Sequence, residues 1–302
     1  MPVGESDMEV IAVASQKGGV GKTSTTVNLA GGLALAGASV LVVDLEPQAQ
    51  AGTSLGFNLT QQMLQRSLGW ALQHRLQGIE VNLHEFLENR SEILEDFGDA
   101  GQLHLLASEE ATMTTAQDLL SQKGYTAIPI LRQMLQQVAD DFDYVVVDTP
   151  PSVSALNALG VAAADYVVTL CNPEYATVRG AAILMAAVKH VPERTQGLCN
   201  PKFLGAILNR SNPPSSWTEQ EVAVRNLMRD MGVLPFKRDI RRDNRISDSF
   251  AYGRPAVVRY PNHSPGQQYS ALMAEVIDRI STPEEKWEIA DSTDQDQVDT
   301  SA

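Results

Sequence analysis

Val10–Ser24, VIAVASQKGGVGKTS, is the stretch whose reading decides the fold. Val10, Ile11, Ala12, Val13 and Ala14 make a short apolar run without helical period, the pattern of a strand buried on both faces of a parallel sheet. A glycine turn follows at once. Gly18, Gly19 and Gly21 carry no Cβ, so several backbone N–H groups can converge on an anion. Lys22 adds a point charge suited to β- and γ-phosphates, and Thr23 a hydroxyl suited to Mg²⁺. The helix that starts there aims its positive dipole end at the same phosphates.

The spacing departs from the usual G-x-x-x-x-G-K-[ST] loop, because Gln16 stands where the first glycine belongs and Lys17 follows it. The form x-K-G-G-x-G-K-[ST] resembles the deviant phosphate loop of the ParA/MinD group of ATPases. That resemblance implies bound ATP and Mg²⁺, held by Lys17, Gly18, Gly19, Val20, Gly21, Lys22, Thr23 and Ser24. It also implies that Lys17 reaches across a homodimer interface to the partner's nucleotide when ATP is bound.

Composition sets the frame. The chain has 302 residues, 43% hydrophobic and 20% charged, which suits one large α/β domain. No run of about 18 apolar residues occurs, and MPVGESDMEV lacks a signal peptide's basic region and apolar core, so a cytoplasmic protein is expected. Cys171 and Cys199 stand alone, without spacing for a disulfide framework or a metal cluster. The formal net charge is −14, which by itself argues against general nucleic-acid affinity. From Pro283 onward, Glu284, Glu285, Glu288, Asp291, Asp294, Asp296 and Asp299 face one Lys286, and this acidic stretch is expected to be disordered. The expected organisation is an N-terminal extension over 1–8, an ATPase domain over 9–282 and an acidic tail over 283–302.

Beyond the phosphate turn, Val27, Leu29, Ala30, Leu33 and Ala34 recur at near-helical spacing until Gly37, and Ser39–Val43 reads as a second strand. This closes a βαβ-type unit at Asp44-Leu45-Glu46-Pro47-Gln48, where polar side chains at a strand's carboxyl end face the ligand crevice. The segment resembles the family's D-x-D-P-Q motif. By that resemblance Glu46, one methylene longer than the usual Asp, orients the attacking water and joins Lys17 and Lys22 in the catalytic set, and Asp44 is a further candidate on the metal side.

Residues 57–100 read as a helical elaboration: Met63, Leu64, Leu68, Leu72 and Leu76 suggest one amphipathic helix, and Leu83, Phe86, Leu87, Ile93 and Leu94 another. Leu103–Leu106 reads as a strand and Ala127–Val138 as a helix. Tyr144–Val147 is an apolar strand ending in Asp148-Thr149-Pro150-Pro151, the arrangement that holds the Mg²⁺ hydration shell through water, with Asp148 facing Thr23. Tyr166–Leu170 reads as a strand, Thr177–Val188 as a helix, and Phe203–Leu208 as a strand ending in Asn209-Arg210. Resemblance places Asn209 at the adenine base. Gln267–Ile280 closes the fold as an amphipathic helix.

Lys237, Arg238, Arg241, Arg242 and Arg245 concentrate five basic residues in nine positions of an acidic chain. The surrounding IRRDNRISDSFAYGRP resembles the family's I-P-R-N-x-R-x-S-E segment, whose arginines contribute to sequence-independent DNA binding. Asp239 and Asp243 remove some of that charge, and a locally ion-paired loop stays open as the alternative.

These expectations converge on a doubly wound, mostly parallel sheet with helices on both faces. The functional expectation is an ATP-switched DNA partition or positioning ATPase. It would be slow alone, stimulated by a ParB-like adaptor, and associated with the nucleoid. An ATPase that positions a protein cargo and a metabolic ATP-dependent ligase on the same fold remain alternatives. A membrane-bound MinD-like role is not expected, because no basic amphipathic helix closes the chain. Iron–sulfur relatives would need bridging cysteines. Operator-specific binding is not expected either, with about nine residues ahead of the first strand.

Overall fold

A computed structural model describes residues 8–151 and 154–287. The extension through residue 7 and the acidic tail from residue 288 lie outside the described residues.

Eight strands form one sheet: β1 (Glu9–Val13), β2 (Ser39–Asp44), β3 (Leu87–Asn89), β4 (Gln102–Leu106), β5 (Tyr144–Asp148), β6 (Tyr166–Cys171), β7 (Lys202–Ser211) and β8 (Ile240–Arg241). Their spatial order is β3-β4-β2-β5-β1-β6-β7-β8, parallel throughout except where β3 runs against β4. Residues alternate across the pleat, so each central strand feeds two cores. Val10, Ala12, Leu41, Val43, Val145 and Val147 face one layer, built from the helices Leu68–Leu76, Glu110–Lys123, Ala155–Ala163 and Tyr175–Lys189. Ile11, Val13, Val40, Val42 and Val146 face the other, built from the helices Lys22–Leu35 and Ser264–Ser281. Burial on both faces explains the unbroken apolar runs, and the fold is the doubly wound α/β architecture the sequence predicts.

The register positions the chemistry. β5 lies between β2 and β1, pairing Asp148 with Val13 on one side and with Asp44 on the other. The carboxyl ends of β2, β5 and β1 therefore finish level, with the glycine turn directly above.

The structure differs from the sequence reading at several elements. The first expected helix in 57–100 is broken at Ser67, whose Oγ accepts from the Trp70 N–H at 3.1 Å and starts the helix Leu68–Leu76 after a 3-10 turn over Gln61–Arg66. The second is absent as a helix. Leu83–Phe86 and Ser91–Leu94 are 3-10 turns on either side of β3, because backbone pairing with the outer edge of β4 outcompetes helix formation over so short a span. The helix expected over Ala127–Val138 is regular only from Ile130 to Leu135, between two 3-10 turns. The helix Glu110–Lys123 carries a stripe of only Met113, Ala116 and Leu120 among polar residues, too narrow to stand out by period. At the C-terminal end, Trp287 folds back so that its Nε1 donates to the Arg279 and Thr282 carbonyls at 2.8 and 2.9 Å.

The helix Glu219–Asp230 starts with a capping box between Thr218 and Glu221. Burial would raise the Glu221 carboxyl, but N–H donors from Thr218 and Asn212 outweigh it and hold it below its ordinary value. Glu221→Ala should therefore lower stability by about 1–2 kcal/mol at neutral pH in urea unfolding. A depressed native pKa stabilises above the unfolded value and loses that contribution as pH falls through the native one, so the gap between wild type and variant should shrink in acid.

Candidate functional site

The loop between β1 and the helix Lys22–Leu35 is shaped by two left-handed glycines, Gly19 at φ 71° and Gly21 at φ 96°. A Cβ on Gly21 would come within 2.4 Å of the Asn209 amide nitrogen. Val20 is fully buried in the core and pins the loop from below. Its carbonyl accepts a 2.6 Å hydrogen bond from Asn209 Nδ2, which fixes the orientation of that amide. Among the described residues the Asn209 amide oxygen receives no donor.

Thr23 opens the helix and donates from Oγ1 to Asp148 Oδ2 at 2.7 Å, and Thr26, one turn on, lies 3.4 Å from Oδ1. Asp148 is fully buried, and burial pushes its carboxyl up to about 7 despite the Thr23 hydrogen bond. Asp44 is also fully buried and is raised by burial and by the adjacent Asp148. Both Asp44 oxygens are engaged: Oδ1 accepts from the Glu46 N–H, and Oδ2 from the Ala51 and Gly52 N–H groups. The carboxylate thus holds the 45–52 turn and starts the helix Gln50–Ser54. Lys22 is 7% exposed; burial lowers its ammonium while the Asp148 and Glu46 charges oppose that shift. Glu46 is raised by burial, against the pull of Lys22.

Gly18, Gly19, Lys22, Thr23, Ser24 and Glu46 line a cleft of about 510 Å³. Asp148 and Glu46 act on one buried ammonium and Asp44 lies beside Asp148, an excess of negative charge that a hard divalent cation would neutralise. Among the described residues no cluster of three or more His, Cys, Asp and Glu makes a protein cage for a metal. The donor set fits Mg²⁺ held by the Thr23 hydroxyl, Asp148 through water, and phosphate oxygens, and the glycine turn fits a phosphate chain.

Lys17 does not line this cleft. Its ammonium pairs with the carboxylate of Glu174, just ahead of the helix Tyr175–Lys189, and it borders a separate shallow hollow with Tyr175, Arg179 and Ile183. The sequence reading did not single out Glu174, since 157 residues separate the pair.

The basic segment is only partly committed to itself. Arg245 forms a two-point pair with Asp243, at 3.0 and 2.7 Å, which holds the Asp243 carboxyl below its ordinary value. Asp239 is bound to Arg225, a residue outside the segment. The Glu275 carboxylate accepts the backbone N–H groups of Lys237 and Arg238 at 2.7 and 2.9 Å, and Gln268 that of Arg241 at 2.6 Å. This pins the segment to the C-terminal helix and turns the side chains of Lys237, Arg238 and Arg242 to solvent. The sequence reading also passed over Arg210 and Phe250, which line the same cleft.

Among the described residues no helix is long and apolar enough to cross a membrane. The AAA domain family matches residues 8–202. The chromosome-partitioning ATPase Soj of Thermus thermophilus is 31% identical over 272 residues, covering 89% of this chain and 96% of its own. The ATP complex of Cyanothece McdA shares the fold at TM-score 0.73 and 19% identity, over 92% of this chain and 98% of that one. Cobyrinic acid a,c-diamide synthase from Mycobacterium smegmatis, solved with an ATP analogue and magnesium, aligns at TM-score 0.64 and 26% identity over 83% of this chain and 93% of its own. With the phosphate turn, the level strand ends and these similarities together, the chain belongs to the AAA domain family, in its ParA/MinD group of P-loop ATPases.

Proposed function

We propose that this protein is an ATP-switched DNA partition or positioning ATPase whose unit is residues 9–282. In this reading MgATP closes two copies face to face, the closed dimer holds DNA without reading sequence, and hydrolysis stimulated by a ParB-like adaptor releases it. The observation that carries the reading is the position of Lys17: a lysine inside a phosphate loop, half exposed and turned away from its own cleft. A cation so placed is of little use to its own nucleotide and is available to a neighbour's.

Within one subunit Lys22 and the turn N–H groups bind the phosphates, Val20 and Ser24 supplying backbone and hydroxyl at either side. Thr23 and Asp148 would hold Mg²⁺, which would supply positive charge against the charge developing on the phosphates. Glu46, which lines the cleft while a backbone N–H of Gln48 donates to its carboxylate, orients the attacking water and takes its proton. Asp44 supports this group by shaping its turn. Asn209 braces the phosphate loop and offers its free amide oxygen to the adenine amino group.

Lys17→Ala should leave nucleotide affinity within about twofold and abolish ATP-dependent dimerisation in light scattering; a variant that dimerises normally with ATP overturns the trans role. The DNA reading rests on the solvent-facing Arg238 and Arg242, which have no ion-pair partner among the described residues. Reversing both, Arg238→Glu with Arg242→Glu, should reduce ATP-dependent DNA retention at least tenfold in a filter assay. Arg245→Ala should do less, since that guanidinium is spent on Asp243. Unchanged retention in the double variant would leave positioning of a protein cargo as the better account.

A further inference from the structure

A second cavity, of about 290 Å³, opens in the helical layer on the other side of the sheet from the helix Lys22–Leu35 and shares no lining residue with the phosphate cleft. Its wall is mostly apolar. Leu120, Ile128, Val161, Leu184 and Val191 come together from the helices Glu110–Lys123, Ala155–Ala163 and Tyr175–Lys189 and the segments that follow them. Small side chains leave the space: Ala155, Ala158 and Ala162 recur at helical spacing along the lining side of one helix, where Leu or Ile would fill it. Water finds few partners along such a wall, and the wall atoms lack contacts that an apolar guest would restore.

Charge at this cavity is one-sided. Arg194 is the one charged residue among those that line it, and no Asp or Glu joins the lining. The guanidinium lies over the Tyr125 ring, 5.0 Å from the centroid, and its Nη1 donates to the Tyr125 hydroxyl at 3.3 Å. Both residues are exposed, and Arg194 has no ion-pair partner among the described residues. The neighbouring Glu193 carboxylate is turned to His190, 3.6 Å away. Because the Tyr125 oxygen accepts from Arg194, its own O–H proton is left to donate. Two donors that lack an anion therefore stand at the edge of an apolar hole.

We propose that this cavity binds an amphipathic carboxylate, a medium-length alkyl chain with an acid at one end. The chain fills the apolar wall, and the carboxylate meets the Arg194 guanidinium and the Tyr125 hydroxyl at the mouth. A volume of about 290 Å³ is near the small end of ligand sites, which suits a single chain. A planar guanidinium can pair a carboxylate at two points, and exclusion of water on the apolar side strengthens the pair. Nothing in this site depends on bound ATP. It nonetheless adjoins the phosphate cleft: Gln16, next to Lys17, is part of its lining, and so is Asn157, whose Nδ2 donates to Thr149 Oγ1 and the Pro150 carbonyl, both at 3.2 Å. A bound chain would touch the two segments that carry Lys17 and Asp148.

The test is titration calorimetry of the full chain with decanoate, below its micelle concentration, and with decyltrimethylammonium, which carries a matching chain and the opposite charge. Decanoate should bind one to one and at least about tenfold tighter than the cation. Arg194→Ala should weaken decanoate about tenfold, and Arg194→Lys should recover part of that loss. Ala158→Phe, which fills the cavity, should abolish binding. Arg194 is exposed, so its replacement tests the site even if Ala158→Phe fails to fold. Absence of decanoate binding in the wild type overturns the proposal, as does equal affinity for the two headgroups. Undiminished decanoate binding in Arg194→Ala, or in a folded Ala158→Phe, overturns it as well, because the chain would then be held elsewhere.

Discussion

The hydrogen bond from the Thr23 hydroxyl to the Asp148 carboxylate joins the two halves of the cleft, and the rest of the site is built around it. It connects the first residues of a helix to the end of a strand 125 residues away. It forms because β1 and β5 pair in parallel with Val13 level with Asp148, so the chain leaving β1 turns over the end of β5 before entering its helix. Continuation of that register to Asp44 on β2 brings a second carboxyl beside the first. Burial raises both carboxyls, and the neighbouring Asp148 charge adds to the shift at Asp44. A divalent ion with phosphate ligands, as proposed for this cleft, would relieve the cost of that burial.

The same geometry explains the division of labour among the carboxyl groups. Asp44 is surrounded by backbone N–H donors, which commits it to holding a turn. Asp148 is committed to Thr23 and Thr26. Glu46, carried two residues beyond the end of β2, lines the cleft with a single backbone donor, the Gln48 N–H, on its carboxylate, and its extra methylene relative to Asp extends its reach. Lys17 is excluded from this arrangement by the direction of the glycine turn and finds Glu174 instead.

Much of this was legible in the sequence for a definite reason. A strand buried on both faces cannot alternate polar and apolar residues, so the Val10–Ala14 and Tyr144–Val147 runs, each followed by a chemical landmark, disclose both the sheet and the crevice at its edge. What the sequence concealed depended on pairing across long separations. β3 exists only because β4 offers it an edge, and the bulge at Arg210 exists only because β8 pairs out of step with β7. The Lys17–Glu174 pair is a product of tertiary approach. The basic segment lies between these cases. Neutralisation of Arg245 by Asp243, two residues away, was readable, whereas the capture of Asp239 by Arg225 was not, and that capture leaves the segment more cationic than its composition suggests.

In the proposed cycle the γ-phosphate, sensed by Lys17 and Glu46, changes how two copies of the chain associate. Sedimentation velocity of the wild-type chain with Mg²⁺ and either ATP or ADP tests it most directly. A monomer is expected with ADP and a dimer with ATP, the dimer decaying as ATP is consumed. Identical sedimentation in the two nucleotides, whether as monomer or as dimer, would contradict it.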